Sequence, residues 1–126
     1  MLFVKELCSL DKSKLKTDFE NIKTDVVVIT SEREEHIQNH HPLDYKMFSS
    51  HLINIILDPD YILKDEKNSN TALFIKQIEI YNVNVVIKLV MNDDKEDNKN
   101  SIITFYRLRD RTLKKTLEKN KIIYKK

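Results

Sequence analysis

Residues 71–91 read Thr71-Ala72-Leu73-Phe74-Ile75-Lys76-Gln77-Ile78-Glu79-Ile80-Tyr81-Asn82-Val83-Asn84-Val85-Val86-Ile87-Lys88-Leu89-Val90-Met91, and the period of this stretch decides the fold class. Apolar and β-branched residues recur at every second position, which predicts a strand over 71–80, a turn on Asn82-Val83 and a second strand over 84–91. Alternation sorts the side chains: Leu73 and Ile75 face one side, Phe74 and Lys76 the other. In the next strand Val85, Ile87 and Leu89 share a face, leaving Val86, Lys88 and Val90 opposite. A third strand over 101–108 turns Ile103 and Phe105 to the core and Thr104 and Tyr106 away. Tyr61-Ile62-Leu63 supplies a fourth. Connections at Asn68-Ser69-Asn70 and over 92–100 use Asn and Asp for the positive-φ positions that glycine would usually take, since the chain contains no glycine.

Outside this region the period is mostly helical. The run Val26-Val27-Val28-Ile29 stops at Thr30-Ser31, and Ser31 with Glu34 makes a capping-box pattern that predicts a helix over 32–40. Pro42 opens a second helix with Leu43, Met47, Phe48, Leu52, Ile55 and Ile56 on its apolar face, closed by Asp58-Pro59. Residues 2–10 read as a short strand or arm. Residues 11–22 read as a weak helix or loop, with Leu15, Phe19 and Ile22 at helical spacing. Asp110 can cap a short helix carrying Leu113 and Leu117, ended by Asn120 before Ile122-Ile123-Tyr124. The expected architecture is α+β: N-terminal helices packed on one face of a sheet of about four antiparallel strands, with a short C-terminal helix. One domain is expected over 1–126, with 1–20 as an N-terminal arm.

Composition narrows the chemistry. The charged fraction of 33% beside 40% apolar residues argues for a soluble, cored domain rather than a disordered segment or a membrane span. The start Met1-Leu2-Phe3-Val4-Lys5-Glu6 turns charged before a signal-peptide stretch can form, so a cytoplasmic location with no membrane association is expected. Cys8 alone permits neither an internal disulfide nor a Cys-rich zinc site nor CxxC redox chemistry. The missing glycines remove the phosphate cradles of nucleotide-cofactor enzymes and the GxSxG elbow, so no cofactor is expected. Residues 107–126 carry nine Lys/Arg against Asp110 and Glu118, a local charge of +7, while residues 1–106 sum to −5. That end can attract a polyanion or can be a solvated helix face.

Two sets of side chains point to chemistry. If all the apolar strand faces meet the helices, Lys76, Lys88, Thr104 and Tyr106 collect on the second face of the sheet, either as an anion site or as an ordinary wet surface. The other set is His36, His40 and His41. His36 and His40 share a helix face at the spacing of a metal pair, but Ile37 stands where HExxH needs glutamate and no third ligand is evident, so no metal is assigned. Acid/base work suits imidazole better. His51 reads as a helix-end residue satisfying a carbonyl.

The ordered pieces Val28-Ile29-Thr30-Ser31-Glu32-Arg33, His36-Ile37, His41-Pro42, Asp44-Tyr45, Asp58-Pro59-Asp60-Tyr61-Ile62, Asn70-Thr71, 85–89, Asn100-Ser101-Ile102-Ile103-Thr104 and Ile123-Tyr124-Lys125-Lys126 resemble the phage-associated nuclease-like domains of the barnase, EndoU, colicin and RelE group. The resemblance spans about residues 20–126. Its departures are His40, where a basic residue would precede the His-Pro pair, and the bulky pair Phe105-Tyr106. It implies a small α+β fold and a metal-independent, toxin-like ribonuclease site. The corresponding reaction is transesterification through the 2′-OH, with His36 and His41 as base and acid in either order. Lys76, Lys88 and Arg107 would stabilise phosphate charge, and Thr104 or Tyr106 would bond a non-bridging oxygen. Tyr106, Arg109 and Arg111 would bind substrate, with RNA and a protein inhibitor of the antitoxin kind as partners. The alternative is a non-catalytic RNA- or protein-binding module of a phage or mobile element, using the basic end. Helix residues can reach a strand face only at its edge, which sets the geometric test.

Overall fold

The alternating segments fold into a sheet of seven strands rather than four, in the order β1-β2-β6-β5-β4-β3-β7. The computed structural model describes residues 3–19, 21–95 and 98–126. Met1, Leu2, Glu20, Glu96 and Asp97 fall outside it, and with them the first two positions and the last of the expected 1–20 arm and part of the expected 92–100 turn.

The strands are β1 (Val4–Ser9), β2 (Val26–Thr30), β3 (Tyr61–Lys64), β4 (Thr71–Ile78), β5 (Tyr81–Lys88), β6 (Asn100–Leu108) and β7 (Lys121–Lys125). The helices are α1 (Ser31–His40), α2 (Pro42–Phe48), α3 (Leu52–Leu57) and α4 (Asp110–Lys119). Short 3₁₀ turns occupy Lys12–Lys14, Lys16–Phe19 and Ser49–His51. β3 to β6 include three antiparallel pairings, but β2 runs parallel to β6, so the sheet is mixed. The expected four-stranded antiparallel sheet is therefore incomplete: β1 and β2 extend one side, and β7 closes on β3 after α4. A five-residue run such as Lys121–Lys125 is too short for its period to announce a strand.

Helices cover both faces, which overturns the one-sided packing expected. On the first face, residues such as Phe74, Val85, Ile87 and Phe105 form the main core with Ile37, Phe48, Ile55 and Ile56. Leu10, Leu15, Phe19 and Ile22 join this core, so residues 3–19 pack into the body through β1 and the turns that follow it. On the second face, Leu63, Leu73, Ile75 and Leu108 form a smaller cluster under Leu113 and Leu117 of α4. Burial on two sides is why β4 and β5 are nearly continuously apolar.

Local chemistry sets the boundaries. The α1 cap is Thr30 rather than Ser31: its side chain accepts from Arg33 N at 3.1 Å. Ser31 Oγ instead accepts from Phe3 N at 2.9 Å, fastening β1, and Glu34 accepts from Tyr45 Oη at 2.8 Å. The long second helix expected over 42–57 is broken at Ser49–His51 into α2 and α3. The β4–β5 connection is Glu79-Ile80, with Glu79 at φ 57°, so Asn82 and Val83 lie inside β5 rather than in a turn. Asn70 takes the other positive φ, 55°. Among the described residues no helix is long and apolar enough to cross a membrane.

Candidate active site

β2 pairs with β6 only at Val27↔Asn100 and Val28↔Ser101, so the rest of β6 runs on past the end of β2. α1 and α2 lie against β6 in its place. Their junction is His41, at φ −135°, where Pro42 ends one helix and starts the next. This corner brings His41 to the strand edge: its ring stacks on that of Tyr106, centroids 5.5 Å apart.

Behind the imidazole lies Asp44, only 9% exposed. Its Oδ2 is 4.0 Å from His41 Nδ1 and accepts from the Arg107 backbone N–H at 3.5 Å. Its Oδ1 forms an ion pair with Arg107 Nε at 2.5 Å, and the Arg107 guanidinium lies 5.5 Å from the centre of the Tyr81 ring. A half-exposed imidazole is thus backed by a buried carboxylate that is itself held by a cation. At 4.0 Å the carboxylate stands within ion-pair reach of the imidazole but beyond hydrogen-bond distance. Asp44, Tyr81, Arg107, Arg109 and Asp110 border an adjoining concavity of about 510 Å³.

His36 lies one turn before His40, their rings stacked at 4.1 Å, and the His36 carbonyl is bonded to His40 Nδ1 at 2.9 Å. Desolvation, and then the like charges of His40, Arg33 and His41, hold its pKa below the ordinary imidazole value. His36 therefore favours the neutral, proton-accepting form. No group of three His, Cys, Asp or Glu side chains among the described residues could hold a metal ion.

The second face carries a groove between the sheet and α4, about 650 Å³, bordered by Leu73, Asn84, Val86, Thr104, Tyr106 and Lys115. It shares Lys67, Val86 and Ile103 with a neighbouring hollow of about 420 Å³ that reaches Lys88. Tyr106 joins the groove to the corner: its ring meets His41, and its hydroxyl is 3.4 Å from Asn84 Nδ2.

The sequence-derived set is therefore divided. Lys88, Thr104 and Tyr106 do share the second face, and His41 reaches Tyr106 around the strand edge. Lys76 does not join them. It shares a face with Phe74 and donates to Asp58 O at 2.8 Å and to Asp58 Oδ2 at 3.2 Å. The expectation failed because Leu73 and Ile75, not Phe74, face α4. Arg107 is on the first face with Asp44, and Arg109 and Arg111 are exposed at the start of α4. Ile103 borders the groove instead of the main core, because β6 bulges where Val86 pairs with Thr104 and Ile87 with Ile102. The basic C-terminal stretch is split as well: Lys115 and Lys119 border the groove, whereas Lys121 and Lys126 pair with Asp18 and Asp58.

Sequence reasoning missed Tyr81 and Asn84, gave Asp44 no role of its own, and held Lys115 and Lys119 only within the basic 107–126 stretch. Asn84 had a signal, a short polar side chain amid a β-branched run with β-unfavourable propensity. Asp44 was marked only as part of the Asp44-Tyr45 piece of the resemblance, with no chemical role attached.

A family model described as phage-Barnase-EndoU-ColicinE5/D-RelE like nuclease3 matches residues 3–115. No curated protein and no solved structure matches the chain.

Proposed function

The chain belongs to the phage-Barnase-EndoU-ColicinE5/D-RelE like nuclease family, and from that membership we propose that it is a metal-independent endoribonuclease acting at the His41–Tyr106 corner. The observation that carries the reading is the His41 imidazole stacked on Tyr106 at the mouth of a lysine-edged groove, with Asp44 behind it.

The ribose 2′-oxygen attacks the adjacent phosphorus while a base removes its proton. The P–O5′ bond breaks as an acid protonates the leaving oxygen, giving a 2′,3′-cyclic phosphate and a 5′-hydroxyl. His36, held toward its neutral form, takes the proton; His41, supported by Asp44, delivers one. Tyr106 donates to a non-bridging oxygen at the corner, while Thr104 and Lys88, farther along the second face, hold neighbouring parts of the RNA. Arg107 holds Asp44 in position. Because the nucleophile is the 2′-OH, DNA is spared.

The test is incubation of purified protein with mixed RNA in EDTA. Wild type yields cyclic-phosphate ends, His41→Ala lowers the rate about 10²- to 10⁴-fold, and Tyr106→Phe lowers it less. Cleavage undiminished in His41→Ala assigns the activity to a contaminant. The lysine-edged groove also suits a non-catalytic RNA-binding module, for which salt-sensitive RNA affinity without any product is the distinguishing result.

A further inference from the structure

β5 and β6 carry buried asparagines with opposite circumstances. Asn100 is 0% exposed and every polar atom of its amide is used: Oδ1 accepts from Val90 N at 2.8 Å, and Nδ2 donates to Thr24 O at 2.9 Å and Val26 O at 3.0 Å. It ties together the loop before β2, the end of β5 and the start of β6. Asn84, 2% exposed in the middle of β5, has only the 3.4 Å contact from Nδ2 to Tyr106 Oη, and its Oδ1 meets no donor among the described residues. A buried amide oxygen without a partner costs stability that an aliphatic residue in the same strand would avoid. Such a group in a central strand points to a use in binding.

Its position names the use. Asn84 borders the groove beside the apolar side chains Leu73, Val86 and Ile103, while Lys115 and Lys119 stand at the α4 side. An apolar floor, an aromatic ring from Tyr106, one inward amide and a cationic rim match a flat heteroaromatic ring whose edge carries an N–H and whose backbone carries phosphate. We infer that this groove is a nucleobase subsite in which Asn84 Oδ1 accepts an N–H from the base edge, making Asn84 the residue that sets base preference. The inference rests on RNA being the ligand and deepens that reading. It places the base next to the corner where His41 meets Tyr106, so base choice and the position of cleavage are coupled.

Uncleavable probes separate this inference from catalysis. Fluorescence anisotropy with 2′-O-methyl hexamers of A, C, G and U, and an abasic 2′-O-methyl hexamer, is the direct measurement. Wild type is expected to prefer one base over the abasic hexamer about tenfold or more. Asn84→Leu is expected to lower that preference to about threefold or less, with abasic affinity kept within about twofold and thermal stability unchanged or raised. Five equal affinities in wild type, or a preference that survives in Asn84→Leu, overturns the inference. Should Asn84→Leu not fold, the side-chain amide resonances of Asn84 in wild type decide: they move with the preferred hexamer and not with the abasic one, and failure to move refutes the assignment. Asn84-dependent preference in a protein that never cleaves natural RNA retires the nuclease reading alone. Cleavage without such preference retires only the base subsite.

Discussion

At the scale of single residues the corner is governed by Asp44. It is the buried partner of both Arg107 and the free β6 edge, and it stands behind His41. Asp44→Ala leaves the Arg107 guanidinium without its carboxylate, and a loss of about 2–3 kcal/mol by urea denaturation is expected, below the full cost of breaking a buried pair because Arg107 is partly solvated. Asp44→Asn preserves most of the shape and is expected to reduce RNA cleavage at least about tenfold with a smaller stability change, read as a fall in kcat. His36 titrates below the ordinary imidazole value, first through desolvation and then through its cationic neighbours. The unfolded chain therefore binds this proton more readily than the folded one, so the His36 contribution to stability falls as pH drops from the ordinary imidazole value through the folded value. In an NMR titration, His40→Asn is expected to move His36 upward by removing one like charge while leaving desolvation in place. A midpoint unchanged by that substitution would exclude His40 as a cause. His41 was readable as a chemical residue because imidazole announces itself, whereas Asp44 figured only as a piece of the family pattern, since the role of one carboxylate in a helix turn does not show until its partner is in space.

At the scale of elements, the β4–β5 turn shows how the chain manages without glycine, and α4 shows how the second face is covered. Glu79 opens the two-residue β4–β5 turn in the left-handed region, which costs an L-residue about 1–2 kcal/mol. Glu79→Gly is expected to stabilise the protein by about 0.5–1 kcal/mol, measured by the denaturant midpoint; a destabilised variant would mean the Glu79 side chain contributes more than its backbone costs. The helix α4 is docked by Leu113 and Leu117 over Leu63, Leu73, Ile75 and Leu108, and joined to β5 by Asn82 Nδ2 donating to Asp110 Oδ1 at 2.8 Å. Leu117→Ala is expected to cost about 1–2 kcal/mol, less than a fully buried leucine, and to weaken RNA binding because α4 forms one groove wall. Strand alternation was legible within β4 and β5, where long runs average out local exceptions. The β6 bulge was not, because a single extra residue flips Ile102 and Ile103 between faces with no mark in composition.

At the scale of the whole molecule, the groove is an electrostatic feature assembled from distant segments: Lys67 before β4, Lys88 at the end of β5, and Lys115 and Lys119 on α4. If these four lysines each engage a phosphate, log K for single-stranded RNA falls with log salt at a slope of about −3, and each Lys→Ala variant reduces that slope by about 0.7. A slope near zero would place RNA binding elsewhere.

Composition and period alone determined that this chain mixes helical and strand segments around an apolar core and carries no glycine-dependent phosphate loop and no CxxC pair, because those conclusions depend only on which residue types are present and how they repeat. The partition of side chains between the two sheet faces, the separation of Lys76 from Lys88, and the meeting of His41 with Tyr106 were decided by tertiary structure. Each of these depends on which layer covers which face and on where β2 stops beside β6, and both are settled by pairing and burial between segments dozens of residues apart.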